Sequence, residues 1–303
     1  MSPRELIVLG TASAVPTRQR NHNGYFLRWG DKGVLCDPGE GTQRQMSHAG
    51  IAAHDITTVC ITHFHGDHCL GLPGVIQRIA RDGVPHDVTV AFPNAGRAYF
   101  DRLRWASEFQ PTDVIRPHPV AGSTPEPFGM PSITALPLRH SVPVYGYRIE
   151  DPSHVRVRGD ELAAAGVRGP AVGQLKSTGS YVTDDGRTFL LDDFSDTVQG
   201  MSVAFVMDTG VCDNAVELAC GVDLLVIEST YLESEREYAQ RYRHLTAMQA
   251  GRIAAQAGAK KLLLTHFSER YTIDDGALFA REAATVFSGP IVVAHDLLRI
   301  SLR

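Results

Sequence analysis

Short apolar runs broken by polar turns recur along the chain, and many are followed by a stretch of helical period. Runs of this length, rich in Val, Ile and Leu, predict buried strands. The first is Leu6-Ile7-Val8-Leu9. Residues 25–29 and 34–37 flank Gly30-Asp31-Lys32-Gly33 and predict a hairpin. Further strands are predicted at 58–61, 88–92, 133–138, 145–149, 202–207, 224–227, 261–264, 291–294 and 298–302. Helical spacing predicts a short helix ending near His48, then 72–81, 95–109, 214–220, 233–242, 246–257 and 274–287. The Pro-rich stretch 111–131 predicts loop and edge structure. Strands alternating with helices indicate an α/β protein.

The alternation lapses between residues 150 and 200. Gly, Pro, Asp and Thr are scattered there, and only 160–165 has helical character. About fifty residues without a strong core pattern, inside a compact domain, indicate a functional insertion. The expected organisation is one domain over 1–303, carrying an arm at about 150–200.

Composition narrows the reading. The 303 residues are 43% hydrophobic, ample for a core, and the net charge of −5 excludes a generally basic nucleic-acid binder. The five cysteines form no C-x-x-C pair, which predicts free thiols and a cytoplasmic protein. Met1-Ser2-Pro3-Arg4-Glu5 leads straight into a strand, with no apolar leader, and no run is long enough to span a bilayer.

The chemistry concentrates directly after the strand at 58–61. His63-Phe64-His65-Gly66-Asp67-His68 packs three imidazoles and a carboxylate into six residues. Such groups are not tolerated unpaired beside a core. A metal resolves the conflict, since neutral imidazole and carboxylate are good zinc ligands, and Gly66 is expected to permit the tight backbone. The same event recurs: predicted strands deliver His140, Asp208 and His266, and also Glu228. Ligands at the strand ends of a two-sheet core would gather along one rim.

The H-x-H-x-D-H motif resembles the signature of the metallo-β-lactamase superfamily. His65 stands where that superfamily's zinc hydrolases carry histidine and its diiron oxidoreductases carry a carboxylate. The wider chain resembles the ribonuclease Z family, which processes tRNA 3′ ends. The segments that carry this likeness are Pro16 through Asn21, Asp37-Pro38-Gly39-Glu40-Gly41-Thr42-Gln43, Gly71-Leu72-Pro73-Gly74, Gly146-Tyr147-Arg148, His244-Leu245-Thr246 and Thr265-His266-Phe267-Ser268-Glu269-Arg270-Tyr271. The arm, with Gly169-Pro170, is similar to that family's tRNA-gripping insertion.

The resemblance implies a four-layer αββα sandwich and two zinc ions. His63, His65 and His140 would hold one zinc, Asp67, His68 and His266 the other, and Asp208 would bridge them. Asp67 would also orient or deprotonate the attacking water, and His244 would contact the phosphate and protonate the leaving 3′-oxygen. Glu228 would orient His244 or pair with a nearby arginine. Arg18, Arg20, Asn21, Gly169, Pro170, Lys176 and Arg270 would contact substrate, with His22 near them. The implied reaction removes the 3′ trailer of precursor tRNA after the discriminator base, leaving a 3′-hydroxyl, in a homodimer. A phosphodiesterase or other ester hydrolase for small molecules is the alternative, and the long arm argues against it.

The chain departs from the family in places. Between 148 and 176 the cations Arg148, Arg156, Arg158, Arg168 and Lys176 face Glu150, Asp151, Asp160 and Glu161, so the arm is weakly basic. The family's H-S-T reads His-Leu-Thr, and its H-E-A-T-F reads Ile227-Glu228-Ser229-Thr230-Tyr231.

Overall fold

The computed structural model describes residues 4–122, 127–129 and 131–302. Met1, Ser2 and Pro3 of the expected N-terminal lead, and residues 123–126 and 130 of the Pro-rich stretch, lie outside the described residues. Two compact units divide the chain: 4–150 with 202–302, and 151–201.

The larger unit is built on two sheets. The first has seven strands in the order Arg299–Ser301, Arg4–Gly10, Gly24–Trp29, Lys32–Cys36, Thr58–Cys60, Val88–Pro93 and Ile115–Val120. The second has six, in the order Ile291–Val293, Leu262–Thr265, Leu224–Glu228, Ser202–Val206, Tyr145–Glu150 and Ser132–Pro137. Their inner faces meet through fully buried aromatics. Tyr25 lies 5.8 Å from Phe205, and Tyr147 donates to the Ile61 carbonyl at 2.8 Å. Helices Thr42–Ala49, Leu72–Arg81 and Arg97–Arg104 bury Met46, Leu72, Val75, Ile76, Ile79 and Phe100 against the outer face of the first sheet. Helices Asp213–Leu218, Ala247–Ala257 and Gly276–Ala284 lie against the second. The arrangement is the αββα metallo-β-lactamase sandwich. Ile115–Val120 in the Pro-rich stretch is indeed an edge strand, where missing amide donors cost least.

Direction matters for the site. Lys32–Cys36, Thr58–Cys60 and Val88–Pro93 run parallel, as do Ser202–Val206, Leu224–Glu228 and Leu262–Thr265. Ser132–Pro137 runs antiparallel to Tyr145–Glu150, which runs antiparallel to Ser202–Val206, so it too points the same way. Their carboxyl ends therefore open together, the usual place for a site in such sheets.

The unit 151–201 has a core of its own, which the sequence pattern did not lead one to expect. Leu162, Val167, Leu175 and Phe189 are buried in it. Strands Ser195–Val198 and His154–Val157 pair, as do Ser180–Val182 and Thr188–Leu190, beside helices Gly159–Ala164 and Pro170–Thr178. The elements are too short, and the apolar residues too widely spaced, to register as periodic.

Candidate metal centre

Six strand ends supply the site, and the backbone bends sharply at several of them. Asp37, Asp208 and His266 at strand ends, with Arg243 at the end of helix Arg236–Tyr242, are four of the five non-glycine residues with positive φ among the described residues, at 48°, 44°, 61° and 57°. Such conformations cost about 1–3 kcal/mol each and persist where the surroundings fix them. The close backbone approach is made by Gly39 rather than Gly66. A Cβ on Gly39 would stand 2.1 Å from the Asp67 carbonyl, whereas one on Gly66 would meet only the Leu70 side chain at 2.9 Å. The Gly66 expectation is thus corrected: it opens the short helix Gly66–Cys69 without needing left-handed backbone.

Asp208 divides its two oxygens between two sets of ligand-type groups. Oδ2 stands 3.5 Å from His63 Nε2 and 3.7 Å from His140 Nε2, and His65 Nδ1 is 3.3 Å from His140 Nε2. Oδ1 stands 3.2 Å from His68 Nε2 and 3.0 Å from His266 Nε2. Asp67 Oδ2 joins the second set at 3.3 Å from His68 and 3.4 Å from His266. The structure therefore brings together all seven residues expected as ligands, as His63/His65/His140/Asp208 and Asp67/His68/Asp208/His266.

The outer partners fix which ring nitrogen faces inward. His68 Nδ1 lies 2.8 Å from Asp37 Oδ2, His63 Nδ1 3.0 Å from Thr62 Oγ1, His140 Nδ1 3.1 Å from the Arg243 carbonyl, and His266 Nδ1 2.9 Å from Thr230 Oγ1. With each Nδ1 engaged, the four Nε2 lone pairs converge, as metal-ligating histidines require. Asp37 is itself locked, accepting from the Thr62 amide at 2.7 Å and its hydroxyl at 2.8 Å.

Electrostatics also call for a cation. His63 Nε2 is enclosed without a hydrogen-bond partner, a costly state for a buried polar atom. Burial and the neighbouring imidazoles, His68 foremost, push the His63 pKa down. Burial disfavours a charged His68, yet Asp208, Asp67 and Asp37 together outweigh it and raise its pKa. The Asp67 and Asp208 carboxyls are buried, which alone would raise them, but nearby histidines hold both below the usual carboxylate range. Three buried carboxylates around convergent nitrogens fit divalent cations with mixed N and O preference, of which zinc is typical.

Glu228 meets His244, not an arginine. Its Oε1 is 3.0 Å from His244 Nδ1 and accepts from the Thr209 amide at 2.7 Å; its Oε2 accepts from Thr230 Oγ1 at 2.6 Å and from the Leu245 amide at 3.1 Å. Burial opposes charge on His244, but Glu228, with Asp208 beyond it, leaves the imidazole pushed up to about 9. Thr246 is structural: it caps helix Ala247–Ala257, accepting from the Gln249 amide at 3.2 Å. A cavity of about 600 Å³ opens over these groups, lined by His65, Asp67, His140, Asp208, His244 and Arg270, among others.

The expected substrate-binding residues separate. Arg18 is exposed. Arg20 is buried, and its guanidinium is committed to Thr11 Oγ1, the Thr272 carbonyl and the face of Phe267. Asn21 donates to the His22 and Glu40 carbonyls, while its own amide donates to Asp296. His22 is buried against the Ala14 carbonyl. The polar atoms of the buried Arg20 and His22 thus brace the loop from inside, whereas Asn21 is partly exposed. Gly169, at φ 58°, precedes Pro170 at the first turn of its helix, and Lys176 is exposed near that helix's end. Arg270 pairs with Glu235 at 2.9 Å and lies 4.4 Å over the Tyr238 ring. In the arm, Arg156 and Arg158 answer Asp196, which lowers the free positive charge further.

Sequence reading missed Asp37, Thr230 and Arg243 as supports of the ligand histidines. Asp37 had a signal, since it too ends a buried strand. Arg243 had none, because its role is carried by a backbone carbonyl and a left-handed bend.

Comparison with known proteins adds the following. Residues 4–81 match the family described as Anti-Pycsar protein Apyc1. The chain is 60% identical over 304 residues to ribonuclease Z of Thermobifida fusca (strain YX), covering all of this chain and 96% of that protein. Among solved structures, the metallo-β-lactamase fold protein YhfI from Bacillus subtilis superposes with a TM-score of 0.72 at 21% identity, each chain fully covered. Human tRNase Z, short form, superposes with a TM-score of 0.68 at 23% identity over 99% of each chain.

Proposed function

The chain belongs to the ribonuclease Z family, and from that premise we infer that it is a hydrolytic endoribonuclease that removes the 3′ trailer of precursor tRNA after the discriminator base, leaving a 3′-hydroxyl. The observation that carries the reading at the site is the division of Asp208 between two ligand sets, at 3.0–3.7 Å.

His63, His65, His140 and Asp208 would hold one zinc ion, and Asp67, His68, His266 and Asp208 a second. Two bound cations would acidify a water toward neutral pKa and offset negative charge on the phosphate oxygens. Asp67, kept ionised by His68 and His266, would orient the water through a carboxylate oxygen and is the nearest carboxylate that could receive its proton. His244, with Nδ1 held by Glu228, offers its other ring nitrogen to the leaving 3′-oxygen as proton donor. Glu228 touches no reacting atom in this scheme and acts as a positioning residue.

The arm at 151–201, with Gly169, Pro170 and Lys176, would grip the tRNA. Arg18 and Arg270 would contact phosphate nearer the cut. A homodimer, in which each arm serves the partner's site, and a cytoplasmic location complete the reading. No helix among the described residues is long and apolar enough to cross a membrane.

The test is incubation of the zinc-loaded protein with a 3′-extended precursor tRNA, followed by mapping of the cut. One chelator-sensitive cut after the discriminator base is expected. No cut, alongside turnover of a chromogenic phosphodiester, would overturn the reading in favour of a hydrolase of small molecules.

A further inference from the structure

A row of aromatic rings leads outward from His244. Tyr231 meets His244 near edge-on, with ring centroids 6.2 Å apart. Tyr238 lies 6.3 Å from Tyr231 at an interplanar angle of 24°. Tyr242 continues the row, 6.4 Å from Tyr238 and within 4° of parallel. The helix Arg236–Tyr242 sets this last step, because side chains four residues apart share one face. Tyr231 is buried, whereas Tyr238 and Tyr242 are 39% and 46% exposed. Tyr231 and Tyr242 line the same cavity as His244 and Asp67. Cations border the row: Arg270 lies 4.4 Å over Tyr238 and Arg241 5.5 Å over Tyr242.

Tyr238 and Tyr242 each keep more than a third of their surface open, which leaves aromatic area available to a partner. The exposed parts of these rings, with Arg241 beside Tyr242, match single-stranded nucleic acid, in which every base offers a flat face and every link a phosphate. On a chain of net charge −5, Arg241 beside Tyr242 offers phosphate a local cation, while Arg270 is already paired with Glu235.

We propose that Tyr231, Tyr238 and Tyr242 form a stacking platform for the unpaired nucleobase on the 5′ side of the scissile phosphate. The proposal rests on the endoribonuclease reading above. The side follows from His244: a proton given to the leaving 3′-oxygen sets that nucleotide's ribose against His244, where the row begins.

The probes are a 3′-extended precursor tRNA and the same RNA with an abasic residue at the unpaired position before the cut. With the zinc-loaded parent protein, the abasic RNA should show a KM raised at least about fivefold, since a stacked base contributes at least that much. Tyr238→Ala/Tyr242→Ala should raise KM for the normal RNA by a similar factor and lose its sensitivity to the abasic site. The two losses should not add, because both remove the same contact. Tyr238→Phe/Tyr242→Phe should restore the parent values. An abasic penalty equal in parent and variant overturns the platform, and so does the absence of a penalty in the parent, which needs no variant. If the parent protein cuts no precursor at all, the endoribonuclease reading has failed and the platform falls with it; cutting without the coupled loss removes the platform alone.

Discussion

Glu228 Oε1 and His244 Nδ1 lie 3.0 Å apart, with the carboxylate wholly buried and the imidazole partly open to the cavity. Every other contact of that carboxylate is a donor: the amides of Thr209 and Leu245 and the Thr230 hydroxyl. Thr230 also reaches His266 Nδ1 at 2.9 Å, so one buried anion braces both the expected proton donor and an expected metal ligand.

Glu228→Gln should therefore lower the His244 pKa from its raised position near 9, because burial then acts with one opposing charge fewer. The sign for stability follows from linkage. A histidine whose folded pKa exceeds its ordinary 6.5 contributes stability below 6.5 that is lost as pH rises through about 9. Imidazole resonances of the metal-free protein should titrate lower in the variant, and its melting temperature should fall less between those pH values. An unchanged titration would remove Glu228 as the source of the shift.

Asp37→Asn keeps the side-chain shape but removes the charge that faces His68 Nδ1 at 2.8 Å. Outer partners of this kind typically control metal affinity by about 10–100-fold. Competition of the protein with a chromogenic chelator for zinc should reveal a loss of that order. Parent-like affinity would mean that Asn23, whose Nδ2 also lies 3.1 Å from His68 Nδ1, suffices to hold the ring.

The seven ligand-type residues were legible because each stands directly after a buried apolar run or within the H-x-H-x-D-H motif, a pattern visible without any partner. Arg20 was not legible. Its partners Thr11, Thr272 and Phe267 are brought to it by the sandwich, and in sequence it looks like any loop arginine. The arm's core escaped for a related reason. Leu162, Val167, Leu175 and Phe189 sit on separate short elements, so neither a helical nor an alternating period joins them. Helix ends were overestimated where polar single turns lead in: the stretch 95–109 holds the helix Arg97–Arg104, and 274–287 holds Gly276–Ala284.

The small core of residues 151–201 has its own consequence. Leu162 is fully buried there, and truncation of such a side chain costs about 2–5 kcal/mol. A unit of this size has little stability to lose. Leu162→Ala should accelerate amide exchange and proteolysis within 151–201, while the strands Leu224–Glu228 and Leu262–Thr265 keep their protection. Loss of protection in those strands as well would mean that the arm does not unfold separately.

Removal of metal tests the centre itself. Without a cation, Asp208, Asp67 and Asp37 raise the His68 pKa against the effect of burial, which favours a proton on that ring in the metal-free protein. A ligating imidazole must be neutral, and zinc must displace that proton on binding. Binding that favours the folded state adds about 2.7 kcal/mol at a free ligand concentration of 100 times Kd. Chelation should accordingly lower the melting temperature, with recovery that grows with zinc concentration. Titration calorimetry in buffers of different ionisation enthalpy should give binding enthalpies that differ by the proton released, and apparent affinity should climb as pH rises toward the His68 pKa. Enthalpies independent of buffer would mean that no proton leaves on binding, and that His68 is neutral before the metal arrives.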